Sequence, residues 1–133
     1  PSEQHGPELI PNGNLIVFDN GELHVPQVSR SVEYSLDLFG HSISQVWEYI
    51  DPSYSPPLYN YGGGEIDYLA NGNYLVSNNG IGEPPIPFGL NWSEYAEVRP
   101  SDSTKVWEIK VRDPNNVKNY SGFDAKRITS LYP

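Results

Sequence analysis

Two short landmarks recur along this chain at one spacing. Asn12-Gly13 returns as Asn71-Gly72 after 59 residues, and Val46-Trp47-Glu48 returns as Val106-Trp107-Glu108 after 60. Chance rarely keeps two separate landmarks in step, so the chain reads as a tandem repeat of one supersecondary unit. A unit of this kind cannot bury its apolar face alone and has to stack on a neighbour. No other feature of the sequence restricts the fold as strongly.

Each unit reads as four short strands. Glu8-Leu9-Ile10 matches the stretch 65–69, and an Asn-Gly dipeptide follows each. That dipeptide is the strongest short-range hairpin signal, and it predicts a type I′ turn with positive φ at both central residues. The second strand, Leu15 to Phe18, matches Tyr74 to Ser77. Polar stops follow, Asp19-Asn20-Gly21 and Asn78-Asn79-Gly80, and then a long connection that carries Pro84, Pro85 and Pro87 in the second unit. The third strand, Ser31 to Leu36, alternates at period 2 and is matched by Tyr95 to Val98. The fourth, Ser44 to Ile50, is matched by Thr104 to Val111 and alternates strictly, which places Trp47 and Trp107 in a core between stacked sheets. Between the units, Asp51 to Gly64 is rich in Pro, Gly and Tyr and reads as a loop. No segment carries a helical apolar stripe. Twelve Gly and thirteen Pro in 133 residues also favour short strands over long helices.

The expected fold is therefore all-β, a single domain over 1–133 built of antiparallel four-stranded β-propeller blades. The first blade spans about 4–51 and the second about 64–112, with a closing strand over about 122–132. A propeller ring needs at least ~4 blades. The remaining blades are expected from another chain or from self-association. The sequence begins Pro1-Ser2 and contains no Met, which reads as a processed chain or a piece of a longer one.

The formal net charge is −9, unevenly spread. Residues 1–98 hold 13 acids and one base, Arg30; residues 99–133 hold 4 acids and 7 bases. So acidic a chain is a poor partner for nucleic acid or an anionic membrane, and the basic end reads as complementary to the acidic part of the same fold. No stretch approaches the ~20 apolar residues of a membrane span. With no Cys, disulfides, thiolate nucleophiles and zinc–thiolate sites are excluded. Asp19-Asn20-Gly21 offers too few oxygens for the roughly 6–8 ligands of calcium and reads as turn chemistry, so no metal is expected. Gly62-Gly63-Gly64 lacks the lysine of a phosphate loop, and no cofactor is expected. Asn91-Trp92-Ser93 and Asn119-Tyr120-Ser121 match the glycosylation sequon.

What the units do not share is Gln4-His5. A neutral imidazole is a competent nucleophile for covalent group transfer, and the bland alternative is a hydrogen-bonded structural histidine at the entrance of the first strand. Gln4 is a candidate for orienting that imidazole or the transferred group. Arg30, the lone base of the acidic part, either contacts an anionic substrate or pairs with an acid such as Glu33 or Asp19. His24 and His41 read as exposed loop residues. Tyr54, Tyr59 and Tyr61 can stack an aromatic substrate, although loop aromatics more often pack over a sheet.

QHGPELIPNGNLIVFDNG over Gln4–Gly21, then Ser29 to Asp37, then Gln45 to Tyr49, with the tail Asp124 to Pro133, resembles the C-terminal blades of the bacterial arylsulfotransferase family. The match is specific over residues 4–50 and looser over 65–133. The resemblance implies a six-bladed propeller, secreted or periplasmic, that moves a sulfuryl group from a phenolic sulfate ester to another phenol without a nucleotide donor. It implies an aryl sulfate donor, a phenolic acceptor and a transiently sulfated histidine, which falls on His5. The family's further histidines, asparagine and arginine come from earlier blades. A reading of a different class stays open beside it: a non-catalytic, secreted, propeller-derived module for binding or assembly.

Overall fold

The alternation in each unit builds eight strands, and the computed structural model describes residues 1–81, 91–115 and 117–128. The first sheet holds β1 (Gln4–Leu9), β2 (Leu15–Asp19), β3 (Arg30–Asp37) and β4 (Ser42–Tyr49). The second holds β5 (Glu65–Tyr68), β6 (Tyr74–Ile81), β7 (Trp92–Arg99) and β8 (Thr104–Val111). Each sheet is a four-stranded antiparallel meander in chain order, the strand arrangement of a propeller blade. No helix occurs among the described residues.

The hairpin turns differ from the expected type I′. In the first, the Gly13 amide donates to the Ile10 carbonyl at 2.9 Å and the Ile10 amide to the Asn14 carbonyl at 2.9 Å. The second repeats this with Gly72 to Leu69 at 2.8 Å and Leu69 to Asn73 at 2.9 Å. Only the glycines take positive φ, +86° and +84°. These are three-residue loops, a type I-like turn followed by a left-handed glycine. Pro11 favours that geometry because its ring fixes φ near −65° at the first central position. The first asparagine does not need positive φ, because its side chain closes the turn by accepting from the amide two residues on, at 2.9 Å for Asn14 to Asn12 and 3.2 Å for Asn73 to Asn71.

Strict alternation in the fourth strands also fails at one point in each sheet. Glu33 pairs with Trp47 but Tyr34 with Gln45, and Glu97 pairs with Trp107 but Val98 with Lys105. Val46 and Val106 are the extra residues of β-bulges.

The core lies between the sheets. Ile10, Ile16, Phe18 and Tyr49 of the first pack on Ile66, Tyr74, Val76, Ala96 and Val98 of the second. Full burial of an aliphatic or Phe side chain contributes roughly 1.5–3 kcal/mol, so this layer is what stacks one sheet on the other. Trp47 joins it as expected, edge-on to Tyr74 at 5.0 Å with its indole N–H donating to Ser103 Oγ at 3.2 Å. Trp107 does not. It is 50% exposed, because no third sheet among the described residues covers its face. Part of that face forms an open pocket lined by Leu75, Tyr95, Trp107 and Ile109, with Lys126 and Arg127 at its edge.

The closing strand expected over 122–132 is not a strand over 122–128; residues 129–132 lie outside the described residues. Side chains, rather than a ladder, dock this segment. Ser93 Oγ accepts from the Gly122 amide at 2.9 Å, Asn79 donates to the Phe123 carbonyl, and Lys126 pairs with Glu65 at 2.9 Å and with Asp67. The basic end thus meets the acids of its own fold.

Candidate functional site

His5 and Gln4 stand at the start of β1, the first strand of its meander. His5 pairs with Phe18, which pairs with Ser31; Gln4 pairs with Asp19, which pairs with Arg30. Residues paired across a sheet share a face, and neighbouring rows face opposite ways. His5 therefore shares the face of Phe18, which is buried against the second sheet. Gln4 and Arg30 lie in the row that faces the other way. The ladder separates the three residues that the sequence grouped into one candidate site.

His5 is half-buried. Its imidazole makes no side-chain hydrogen bond among the described residues, and its neighbour is the Phe123 ring, edge-on with centroids 6.1 Å apart. Half-buried, the imidazole keeps part of its surface open to solvent. No described side chain occupies its ring nitrogens.

Arg30 is engaged by acids on the other face. Its Nε donates to Asp19 Oδ2 at 2.9 Å and its Nη1 to Glu48 Oε2 at 2.8 Å. Asp19 is fully buried and also accepts from the Ser2 amide at 2.8 Å and the Gly21 amide at 3.0 Å. Burial alone would raise the Asp19 carboxyl, but the Ser2 amide and the Arg30 guanidinium outweigh it and hold it below the usual range. His24 joins this group, with Nε2 3.5 Å from Asp19 Oδ2, so it is not the unattached loop residue the sequence suggested. His41 is exposed, in the turn between β3 and β4.

A belt of buried amides joins the two sheets. Asn20 donates to the carbonyls of Asn60 and Gly63, both at 2.9 Å, and Asn60 donates to Asn78 Oδ1 at 3.1 Å. Ser29 Oγ accepts from the Asn60 amide at 2.8 Å and donates to the Asn20 carbonyl at 2.9 Å. These bonds fix the segment 60–64 against both sheets. The polar stops that read as turn chemistry are thus an inter-sheet clasp.

A second charged group sits on the outer strands. Glu94 is fully buried, takes the Tyr54 hydroxyl, and lies 3.7 Å from both Lys105 and Lys110. Lys105 also pairs with Asp51 at 2.9 Å. Burial pushes the Glu94 carboxyl up against the pull of the Tyr54 hydroxyl, and the nearby Asp51 adds to the rise. Tyr54 tilts against Trp92 at 6.0 Å, which makes it a packing tyrosine and gives the buried Trp92 its role. This cluster joins loop to sheet and is remote in the ladder from β1.

Sequence reasoning missed Phe123, Asn79 and Gly122. None carries a motif; hydrogen bonds from β6 and β7 to the tail bring them to His5. No group of three or more metal-ligating side chains occurs among the described residues.

No curated protein matched the chain. A family model described as Arylsulfotransferase (ASST) matches residues 1–121.

Proposed function

The chain belongs to the arylsulfotransferase family, and on that footing we propose that His5 takes up the sulfuryl group in transfer from an aryl sulfate ester to a phenol. The observation that carries this reading is the half-buried His5 imidazole, free of side-chain hydrogen bonds among the described residues. In the first step the lone pair of a neutral imidazole nitrogen attacks sulfur. The N–S bond forms, the S–O bond to the aryl group breaks, and the phenoxide leaves and takes up a proton. In the second, the acceptor phenol attacks the same sulfur, loses its proton, and the N–S bond breaks. The step needs donors around the three non-bridging oxygens. Arg30 is held to Asp19 and Glu48 on the opposite face of the sheet, so these donors come from further blades.

The uncovered face of the second sheet, with Trp107 half exposed, supports completion of the ring by blades of a longer chain or of further copies. The family resemblance supports a secreted or periplasmic setting, which cell fractionation tests. Release of phenol from an aryl sulfate in the presence of a second phenol tests the activity, in this chain and in any longer chain that contains it. Full activity in the His5→Ala variant of the active form would sink the assignment. The same uncovered face favours the alternative, a non-catalytic assembly module. A discrete oligomer that never transfers sulfuryl would support that alternative.

A further inference from the structure

We propose that Phe123 is the residue that recognises the aryl ring of the donor beside His5, an inference that rests on His5 being the sulfuryl acceptor. The chain goes to some length to place this ring. The Tyr120 amide donates to the Asn91 carbonyl at 2.9 Å, and Ser93 Oγ donates to the Tyr120 carbonyl at 3.1 Å. The same hydroxyl accepts from the Gly122 amide at 2.9 Å, and Asn79 donates to the Phe123 carbonyl. At Gly122 an added Cβ would lie 1.9 Å from the Tyr95 hydroxyl, so a larger residue there would have to displace that ring. Four hydrogen bonds thus hold the backbone on both sides of a side chain that the described residues leave exposed.

Phe123 is 67% exposed. Its ring stands at 85° to the His5 imidazole with centroids 6.1 Å apart. A hydrogen-bonded backbone carrying an exposed apolar ring beside an imidazole that no described side chain engages is the arrangement of a binding residue, not of core packing. An aryl sulfate whose sulfur meets the imidazole carries its ring one ester oxygen away, within the about 4.5–7 Å over which aromatic pairs interact. Phe123 would then discriminate aryl from alkyl sulfates, while the anion itself is recognised elsewhere.

The test is the affinity of the assembled, active form for phenyl sulfate and for methyl sulfate, by titration calorimetry or by shifts of the His5 ring protons. The unaltered chain is expected to prefer the phenyl ester by roughly three- to tenfold, the contribution of an aromatic pair. Phe123→Ala should bring the ratio close to one without changing the affinity for methyl sulfate, and Phe123→Trp should preserve the preference. Thermal unfolding of each variant checks the fold, which an exposed side chain should leave unchanged. Absence of a preference in the unaltered chain, including absence of binding, overturns the proposal, and so does an unchanged ratio in Phe123→Ala. The two readings fail separately. A chain that carries sulfuryl on His5 but shows no aryl preference sinks Phe123 alone. A Phe123-dependent preference with no transfer to His5 sinks the catalytic reading and leaves aryl recognition standing.

Discussion

Tyr74 in the second sheet donates its hydroxyl to Glu33 in the first, 2.7 Å away and buried between them. The other Glu33 oxygen accepts from Asn12 at 3.3 Å and Asn14 at 2.6 Å. Glu97 is held the same way in the second sheet, by Asn71 at 2.9 Å and Asn73 at 2.7 Å. Its second oxygen takes Arg127 of the C-terminal segment, in the place that Tyr74 fills for the first sheet. The Asn-Gly-Asn turns therefore do more than reverse the chain. Each clamps a glutamate that presents one free oxygen to whatever packs next.

Removing the Tyr74 hydroxyl should cost more than removing Arg127. Tyr74→Phe leaves a buried carboxylate oxygen unpartnered, at a cost of about 1–3 kcal/mol. Arg127 is 57% exposed on its side chain, and loss of a surface pair is expected to cost less than about 1 kcal/mol. Urea unfolding of both variants gives the comparison. Equal losses would mean that the inter-sheet bond is no stronger than the surface one.

Gly64 should be the least replaceable glycine of the inter-sheet segment. Its φ is +114°, and an added Cβ would lie 2.4 Å from the Phe18 ring. Gly64→Ala combines backbone strain with an overpacked core, about 2–4 kcal/mol together. At Gly13, φ is +86° with nothing within 4 Å of an added Cβ, so Gly13→Ala carries the strain alone, about 1–2 kcal/mol. Urea midpoints of the two variants in that order support the packing described; the reverse order would contradict it.

Much of this was legible in the sequence, and the rest has identifiable physical reasons. The strand order follows from short alternating runs punctuated by Asn-Gly, because local turn chemistry sets the hairpins. The turn type was not legible, since it depends on the Asn12 and Asn71 side chains bonding their own backbone. The bulges at Val46 and Val106 arise from cross-strand pairing, which period-2 reading cannot see. His5 stood out as the unrepeated residue of its unit. Its separation from Gln4 and Arg30 needed the register, since a one-residue difference sends side chains to opposite faces. Phe123 was invisible because tertiary hydrogen bonds with Asn91, Ser93 and Asn79, not a local pattern, bring its segment to the site.

Asp19 should give the fold an acid-sensitive component. Its carboxyl is held below the usual range in the folded chain, so the folded state binds that proton less readily than the unfolded one. The contribution is fully present above the unfolded value of about 3.9 and is lost as pH falls through the lowered folded value. Comparison of unfolding free energies across that window should show the unaltered chain losing stability more steeply than Asp19→Asn. Parallel curves would mean that Asp19 is not the linked group.

The central claim is that His5 carries the sulfuryl group, and the mass of the His5 peptide after brief mixing with an aryl sulfate tests it most directly. In the assembled, active form this peptide is expected to gain one sulfuryl group that an added phenol discharges, and His5→Ala to abolish both the modification and the transfer. Transfer at an undiminished rate with no sulfuryl on His5 would contradict it.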